Sequence, residues 1–294
     1  MSSEKCDSGN SCQSCGSVQK CSQTDKESHE AALIESRMNN IKHKFMVISG
    51  KGGVGKTSVS VNLATTLAKQ GYKVGILDAD IHGPNIPKML GVEDQKPAGA
   101  EDGIYPIKIS ENLFVMSIAF FISKKEDAIV WRGPMKHSVI KQFLGEVVWG
   151  DLDYLIIDLP PGTGDEALST AHLLKKVDAA VVVTTPQEVA LLDSRKSITF
   201  CREIKIPIIG VVENMSGLSC PHCSKEIELF KTGGGERIAN EMKIPFLGRI
   251  PLDPELVISS DDGKSFIENH PESNVAKAFA AVADDWTKRL ESSQ

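Results

Sequence analysis

Phe45-Met46-Val47-Ile48-Ser49-Gly50-Lys51-Gly52-Gly53-Val54-Gly55-Lys56-Thr57 sets a short apolar run directly before a match to G-x-x-x-x-G-K-[ST]. The apolar run reads as a buried strand, and the residues from Lys56 onward read as a helix. Glycines between the two let successive backbone N–H groups turn toward one phosphate chain, and the helix start adds its positive dipole end. Gly50, Lys51, Gly52, Gly53, Val54 and Gly55 therefore form the expected phosphate cradle, and Ser58 joins the nucleotide-binding set at the helix start. Lys56 is expected to meet the β- and γ-phosphates and Thr57 to ligate Mg²⁺.

Working outward, five more apolar runs follow the same pattern: Val74-Gly75-Ile76-Leu77, Leu113-Phe114-Val115-Met116, Tyr154-Leu155-Ile156-Ile157, Ala180-Val181-Val182-Val183 and Ile208-Ile209-Gly210-Val211-Val212. Several are apolar on both faces, as in a parallel sheet covered by helices on each side. Crossover helices are expected over 56–70, 135–148, 165–175, 188–203 and 235–242. The fold class is α/β, a doubly wound, mostly parallel sheet of the P-loop NTPase type spanning 41–294. Residues 1–40 are expected to be a cysteine-rich, flexible N-terminal tail and linker, because residues 1–30 offer only Met1 and Val18 as sizeable apolar side chains besides cysteine.

The 294 residues, 41% hydrophobic and 24% charged, exclude wholesale disorder. No apolar run approaches the roughly 18 residues of a membrane helix, and the first residues lack a hydrophobic signal segment, so the expected compartment is cytoplasmic. A net charge of −6 gives no bulk attraction to nucleic acid or anionic lipid, and neither is expected as a partner. The last helix carries Val275, Phe279, Val282, Trp286 and Leu290 on one stripe. Its polar residues include Lys277, Lys288 and Arg289 against Asp284, Asp285 and Glu291, a balance that favours docking on the domain over a membrane surface.

A triphosphate needs Mg²⁺ neutralisation and a positioned water before its γ-phosphate can leave. Asp158, ending Tyr154-Leu155-Ile156-Ile157, stands where a carboxylate would hold a magnesium-bound water, and the segment 158–165 has the prolines and glycines of a switch. Lys51 lies beyond what the general loop pattern requires. Together with Leu77-Asp78-Ala79-Asp80-Ile81-His82-Gly83-Pro84-Asn85, Ile157-Asp158-Leu159-Pro160-Pro161-Gly162-Thr163-Gly164-Asp165 and Cys220-Pro221-His222-Cys223, it makes the chain from about residue 41 onward resemble the Mrp/Nbp35/ApbC family of iron–sulfur cluster carrier ATPases. The resemblance implies that Asp80 orients or activates the attacking water with Asp78 beside it, and that Lys51 reaches the γ-phosphate of the opposite subunit. It also implies that Asn214, Pro251 and Asp253 read the adenine of ATP. The implied catalytic set is Lys51, Lys56 and Asp80.

Seven cysteines complete the reading: Cys6, Cys12, Cys15 and Cys21 in the tail, Cys201 inside a helix, and Cys220 and Cys223 in a C-x-x-C loop. In a reducing compartment closely spaced thiols hold metal or do redox chemistry more often than they form disulfides. Cys220 and Cys223 supply two thiolates, half of what zinc or a [4Fe–4S] cluster takes, so His222, the tail or a second chain must supply the rest. The resemblance implies a [4Fe–4S] cluster bridging two subunits, a homodimer or a heterodimer with a paralogue, and delivery to recipient apo-iron–sulfur proteins. The four tail cysteines can hold a [4Fe–4S] cluster within one chain; they keep the family's C-x2-C-x5-C ending, while a first gap of x5 in place of x13 sets Cys6 apart. Zinc competes at both sites. The competing functions are a spatial-organising ATPase of the MinD/ParA sort and a zinc-stabilised regulatory NTPase. Cys201 is expected to be a small buried residue, and His82 and His172 switch or surface residues.

Overall fold

The computed structural model describes residues 23–122, 133–220, 223 and 225–291. Its centre is an eight-stranded sheet in the order β12-β9-β8-β1-β7-β2-β6-β5. The strands are β1 (Ile41–Ile48), β2 (Val74–Asp78), β5 (Ile107–Lys108), β6 (Leu113–Ser117), β7 (Leu152–Asp158), β8 (Ala179–Thr184), β9 (Ile208–Glu213) and β12 (Phe246–Arg249). Two small antiparallel pairs lie outside it: β3 (Gly99–Ala100) with β4 (Gly103–Ile104), and β10 (Leu218–Ser219) with β11 (Glu226–Ile227). Every pairing in the main sheet is parallel except β5 on β6.

The helices are α1 (Gln23–Asn39), α2 (Lys56–Lys69), α3 (Ile86–Met89), α4 (Gly133–Glu146), α5 (Asp165–Leu174), α6 (Glu188–Glu203), α7 (Gly234–Glu241), α8 (Pro254–Asp261), α9 (Phe266–Asn269) and α10 (Asn274–Glu291). All residues of β2 and β8 are buried, which requires helical cover on both faces of the sheet. From β1 the chain first builds outward to β2 and β6, then returns through β7 and crosses to β8, β9 and β12. Chain reversal of this kind opens a crevice at the carboxyl ends of the strands, where doubly wound sheets place their ligands.

The apolar stripe of α10 docks as its pattern requires. Val275, Phe279, Val282 and Trp286 are buried, and Trp286 meets Phe45 of β1 edge to face with ring centroids 4.5 Å apart.

Several elements lie outside the sequence reading, helix α1 and strand β12 foremost among them. The linker expected up to residue 40 is instead helix α1, which packs on α4 and α5 and sends Ile34 and Met38 into the core. Its end is held by Lys44, whose ammonium donates to the Met38 and Ile41 carbonyls at 3.3 and 2.9 Å. Salt bridges from Glu30 to Lys141 and from Glu35 to Lys175 fasten its outer side. Only the short run Ala31-Ala32-Leu33-Ile34 announced this helix, too brief to show a periodic face. Strand β12 was also unannounced: Pro245 precedes it, Gly248 interrupts it, and its register against β9 shifts between Phe246 and Gly248. The four tail cysteines, Cys6, Cys12, Cys15 and Cys21, lie outside the described residues.

Trp286 separates packing from hydrogen bonding, because its buried indole Nε1 finds no acceptor among the described residues. Trp286→Ala should cost about 3–5 kcal/mol in denaturant unfolding, whereas Trp286→Phe, which keeps a ring on Phe45 and removes the unsatisfied N–H, should cost well under half of that. Equal losses for the two substitutions would contradict this account of the docking.

Candidate functional site

The loop between β1 and α2 is shaped by close approach. A Cβ on Gly50 would stand 2.2 Å from the Asp193 carbonyl carbon, inside α6. Gly55 has φ +78°, and a Cβ there would meet the Asn214 Nδ2 at 2.2 Å. Neither position has room for a side chain, so the glycines of the motif are required by the packing of the loop as well as by its curvature.

At the end of the loop, three side chains converge on one carboxylate. Asp158, fully buried at the end of β7, accepts from Lys56 Nζ at 2.6 Å and Thr57 Oγ1 at 2.7 Å on Oδ2, and from Ser60 Oγ at 2.6 Å on Oδ1. Lys56 is 5% exposed. The parallel register places this group: Val47 of β1 and Asp78 of β2 are both the partners of Asp158 across β7. Lys56, Thr57 and Asp158 were expected together; Ser60 was missed, although its place one helical turn after Lys56 puts it on the same face. Thr57 and Asp158 form a hard oxygen pair suited to Mg²⁺.

Asp78 is the second buried carboxyl. Burial, and then the charge of Asp158, push its pKa up to about 8 despite a 2.9 Å hydrogen bond from Ser117 Oγ. The Asp80 carboxyl is also held above the ordinary range, chiefly by burial and further by Asp158, with Lys56 opposing. Asp80 Oδ1 accepts from the His82 N–H at 3.3 Å. His82, expected as a switch or surface residue, has its Nε2 2.7 Å from Lys136 Nζ, and Lys136 also donates to Glu166 Oε1 at 2.6 Å. Lys136 and Glu166 carried no sequence signal; they line a cavity of about 380 Å³ with His137, Gly164, Asp165 and Ser169.

A second cavity, of about 190 Å³, is lined by Gly55, Ser58, Asn214, Pro251 and Asp253 together with the apolar Met89, Met215, Leu252, Leu256 and Val257. The predicted base-reading residues are thus brought to one concavity beside the phosphate loop. Two of them also have structural work: Asn214 Nδ2 donates to the Val54 carbonyl at 3.0 Å, and Asp253 Oδ1 caps α8 by accepting from the Glu255 N–H at 3.0 Å. Lys51 is exposed at the loop.

Glu213, at the end of β9, is a buried carboxylate that sequence reading overlooked. It accepts from the N–H groups of Gly233 and Gly235 at the start of α7 and from Ser216 Oγ. The glycines of Thr232-Gly233-Gly234-Gly235 were the available signal, since a carboxylate at a glycine-rich helix start is a favoured pairing.

Cys220 and Cys223 sit at the turn of the β10–β11 hairpin, neither of them in a disulfide, with Cys223 exposed. His222 lies outside the described residues, among which no cluster of three or more potential metal ligands occurs. Backbone bonds Ser216 N–H to Ile250 O (3.0 Å) and Leu252 N–H to Gly217 O (2.8 Å) tie the base of the hairpin to the Pro251 wall of the smaller cavity. Cys201 is fully buried in α6, where burial pushes its thiol up to about 12.

The profile of the NUBPL iron-transfer P-loop NTPase family (ParA) matches residues 40–287. A protein of Methanococcus maripaludis named iron-sulfur cluster carrier protein is 52% identical over 261 residues, 88% of this chain and 90% of its own. A Nematostella vectensis protein named cytosolic Fe-S cluster assembly factor NUBP2 homolog is 52% identical over 80% of this chain and 88% of its own. Among solved structures, a nucleotide-binding protein from Archaeoglobus fulgidus in complex with ADP superposes with a TM-score of 0.73 at 40% identity, covering 85% of this chain and 96% of that one.

The buried Asp78 predicts a pH dependence. With a folded pKa of about 8 against an ordinary 3.8, the native state holds a proton that the unfolded chain releases. Its contribution is full below pH 3.8 and is lost as pH rises through about 8. In nucleotide-free, metal-free buffer the wild type should lose stability from pH 5 to pH 9, and Asp78→Asn should flatten that decline. Parallel denaturation profiles for the two proteins would contradict a protonated Asp78.

Proposed function

Because this chain belongs to the NUBPL iron-transfer P-loop NTPase family, we propose that it is an ATP-hydrolysing carrier that assembles [4Fe–4S] clusters and hands them to apoproteins. The observation that carries the reading is the pairing, in one domain, of the Lys56–Thr57–Asp158 cluster with an accessible C-x-x-C hairpin tied by backbone to the neighbouring cavity. Relatives 52% identical over most of the chain, named for iron–sulfur cluster carriage and assembly, support this over a MinD/ParA-type organiser.

In this reading the adenine lies in the 190 Å³ cavity against Asn214, Pro251 and Asp253, and the phosphates lie along Gly50–Gly55. Lys56 turns from Asp158 to the β- and γ-phosphates, a short exchange of one anion for another. Thr57 and Asp158 would hold Mg²⁺, which neutralises charge on the phosphates when bound. Asp80 orients the attacking water: its raised pKa, the result of burial first, marks a carboxylate able to take up a proton as the water attacks. Lys51, exposed on the loop, reaches the nucleotide of a second subunit.

That second subunit also completes the cluster site. Cys220 and Cys223 of two chains supply four thiolates for one bridging [4Fe–4S] cargo, and the tail cysteines Cys12, Cys15 and Cys21, with Cys6, hold another. The domain proper runs from 41 to 294, with α1 docked on it, and the tail carries its cysteines ahead of α1. No helix among the described residues is long and apolar enough to cross a membrane, and we assign the protein to the cytosol, the compartment named for the Nematostella relative.

Anaerobic reconstitution of the full chain, followed by iron, sulfide and zinc analysis and light scattering, tests the proposal. Cys220→Ser and Cys223→Ser should each lose the bridging iron and weaken the dimer while leaving ATP affinity unchanged. Lys56→Ala should abolish binding or turnover, and Asp80→Ala should slow turnover with binding retained. Stoichiometric zinc that iron cannot displace, or unchanged iron content and dimer stability in both cysteine variants, would overturn the bridging cluster.

A further inference from the structure

We propose that Lys136 is a positioning residue that fixes the spacing between the loop carrying Asp80 and the segment that follows Asp158, and so controls the turnover of the nucleotide site without controlling its affinity. The inference rests on the reading of that site as one that hydrolyses ATP.

Both loops leave the sheet at adjacent strand ends and are lightly attached beyond them. After β7, Leu159 N–H bonds to Val47 O at 3.4 Å and Gly162 N–H to Ser49 O at 2.7 Å, which anchors that loop to β1 and the phosphate loop. After β2, Ala79 N–H reaches Asp158 O at 2.9 Å, but the next bonds, Ile81 N–H to Ala79 O and Gly83 N–H to Asp80 O, are internal to the loop. The segment bearing Asp80 is thus held at its root and left to local turns further out.

Lys136 supplies an external hold. It projects from α4, an element belonging to neither loop, and its single ammonium is 2.6 Å from Glu166 Oε1 and 2.7 Å from His82 Nε2. Glu166 lies in the first turn of α5, directly after the 158–165 segment, where a carboxylate is also favoured by the helix dipole. An ammonium has three protons and no lone pair, so it can donate to a carboxylate and an imidazole nitrogen together. His82 in turn donates its backbone N–H to Asp80 Oδ1. The connection from α5 to the Asp80 carboxylate therefore runs through four residues with no gap.

The Lys136–Glu166 pair, which anchors this connection at α5, is not a loose surface bridge, whereas the His82 side chain that carries it onward is 58% exposed. The side chains of Lys136 and Glu166 are only 17% and 15% exposed. Burial pushes the Glu166 carboxyl up, but the hydrogen bond and charge of Lys136, with a smaller contribution from His82, hold it below the usual range. Exposed pairs are worth little because water competes for both ends; here that competition is largely excluded. The phosphates are gripped by other groups, the loop N–H groups and Lys56, so releasing Lys136 leaves ground-state binding in place. What it disturbs is the placement of Asp80, and an error of about 1 Å in such a group can cost up to roughly 100-fold in rate.

The test uses the full chain under anaerobic conditions, with ATP turnover, ATP affinity by calorimetry, thermal unfolding and hydrogen exchange of residues 80–83. Lys136→Ala should lower kcat by about tenfold or more, with the dissociation constant and Tm nearly unchanged and exchange at 80–83 accelerated. Glu166→Gln should act in the same direction, the double variant should fall no further than the lower single one, and Lys136→Arg should restore most of the rate. Wild-type turnover in Lys136→Ala, a loss of affinity equal to the loss of rate, or additive effects of the two substitutions would overturn the assignment. Hydrogen exchange separates this outcome from failure of the ATPase reading. An inactive wild type whose 80–83 segment still loosens in Lys136→Ala removes the hydrolysis and keeps the tether, whereas unchanged exchange removes the tether.

Discussion

Everything at the carboxyl edge of the sheet is arranged around the buried charge of Asp158. A carboxylate with no solvent exposure is tolerated only when its lone pairs are filled, and here Lys56, Thr57 and Ser60 fill them. All three donors come from one turn of α2, so the bond network joins α2 to the end of β7 beside the phosphate loop. Under the function proposed above, nucleotide phosphates compete with Asp158 for Lys56, while Thr57 and Asp158 offer oxygen to a cation, so that the residues stabilising the domain are also the ones assigned to its substrate.

Three strand-end carboxyls meet the cost of burial in three ways. Asp158 is matched by a lysine and two hydroxyls. Asp78, its neighbour across β2 and β7, cannot also be charged at small cost and is pushed toward the protonated form. Glu213 is met by backbone N–H groups at the start of α7 and by Ser216. Two adjacent anions with a single cation between them would repel. A proton on one of them removes the conflict, and loading a divalent cation would change the balance again.

The core of this architecture was legible because parallel strands buried on both faces read as continuous apolar runs and because the phosphate loop has one mechanical solution. Strands β1, β2, β6, β7, β8 and β9 and helices α2, α4, α5, α6, α7 and α10 were all announced by such runs or by helical spacing. What was illegible depends on tertiary partners. Helix α1 exists because Ile34 and Met38 find a core and Lys44 caps the helix end; β12 is an edge strand broken by glycine. The roles proposed for Lys56, Thr57 and Asp158 could be read from a motif, yet Ser117, Lys136 and Glu166 could not, and Ser60 and Glu213 left only the indirect signals of helical spacing and a glycine-rich helix start. Each of these acquires its partner from 39 residues away or from a different element, and residue type alone does not reveal such a meeting.

The backbone bonds that join residues 216–218 to residues 250–252 give the cysteine hairpin a short lever arm. Leu218 bridges Leu252, and Cys220 follows only two positions later. A peptide ladder of this kind is stiff along its length, so the root of the hairpin up to Cys220 shares a frame with the wall that Pro251 and Leu252 give to the smaller cavity. A tilt of that wall would swing the Cys220 sulfur with it, as a crank turns a jaw. In the dimer proposed above, the grip of this thiol on a bound group would then be governed by the angle between two such frames as well as by its chemistry.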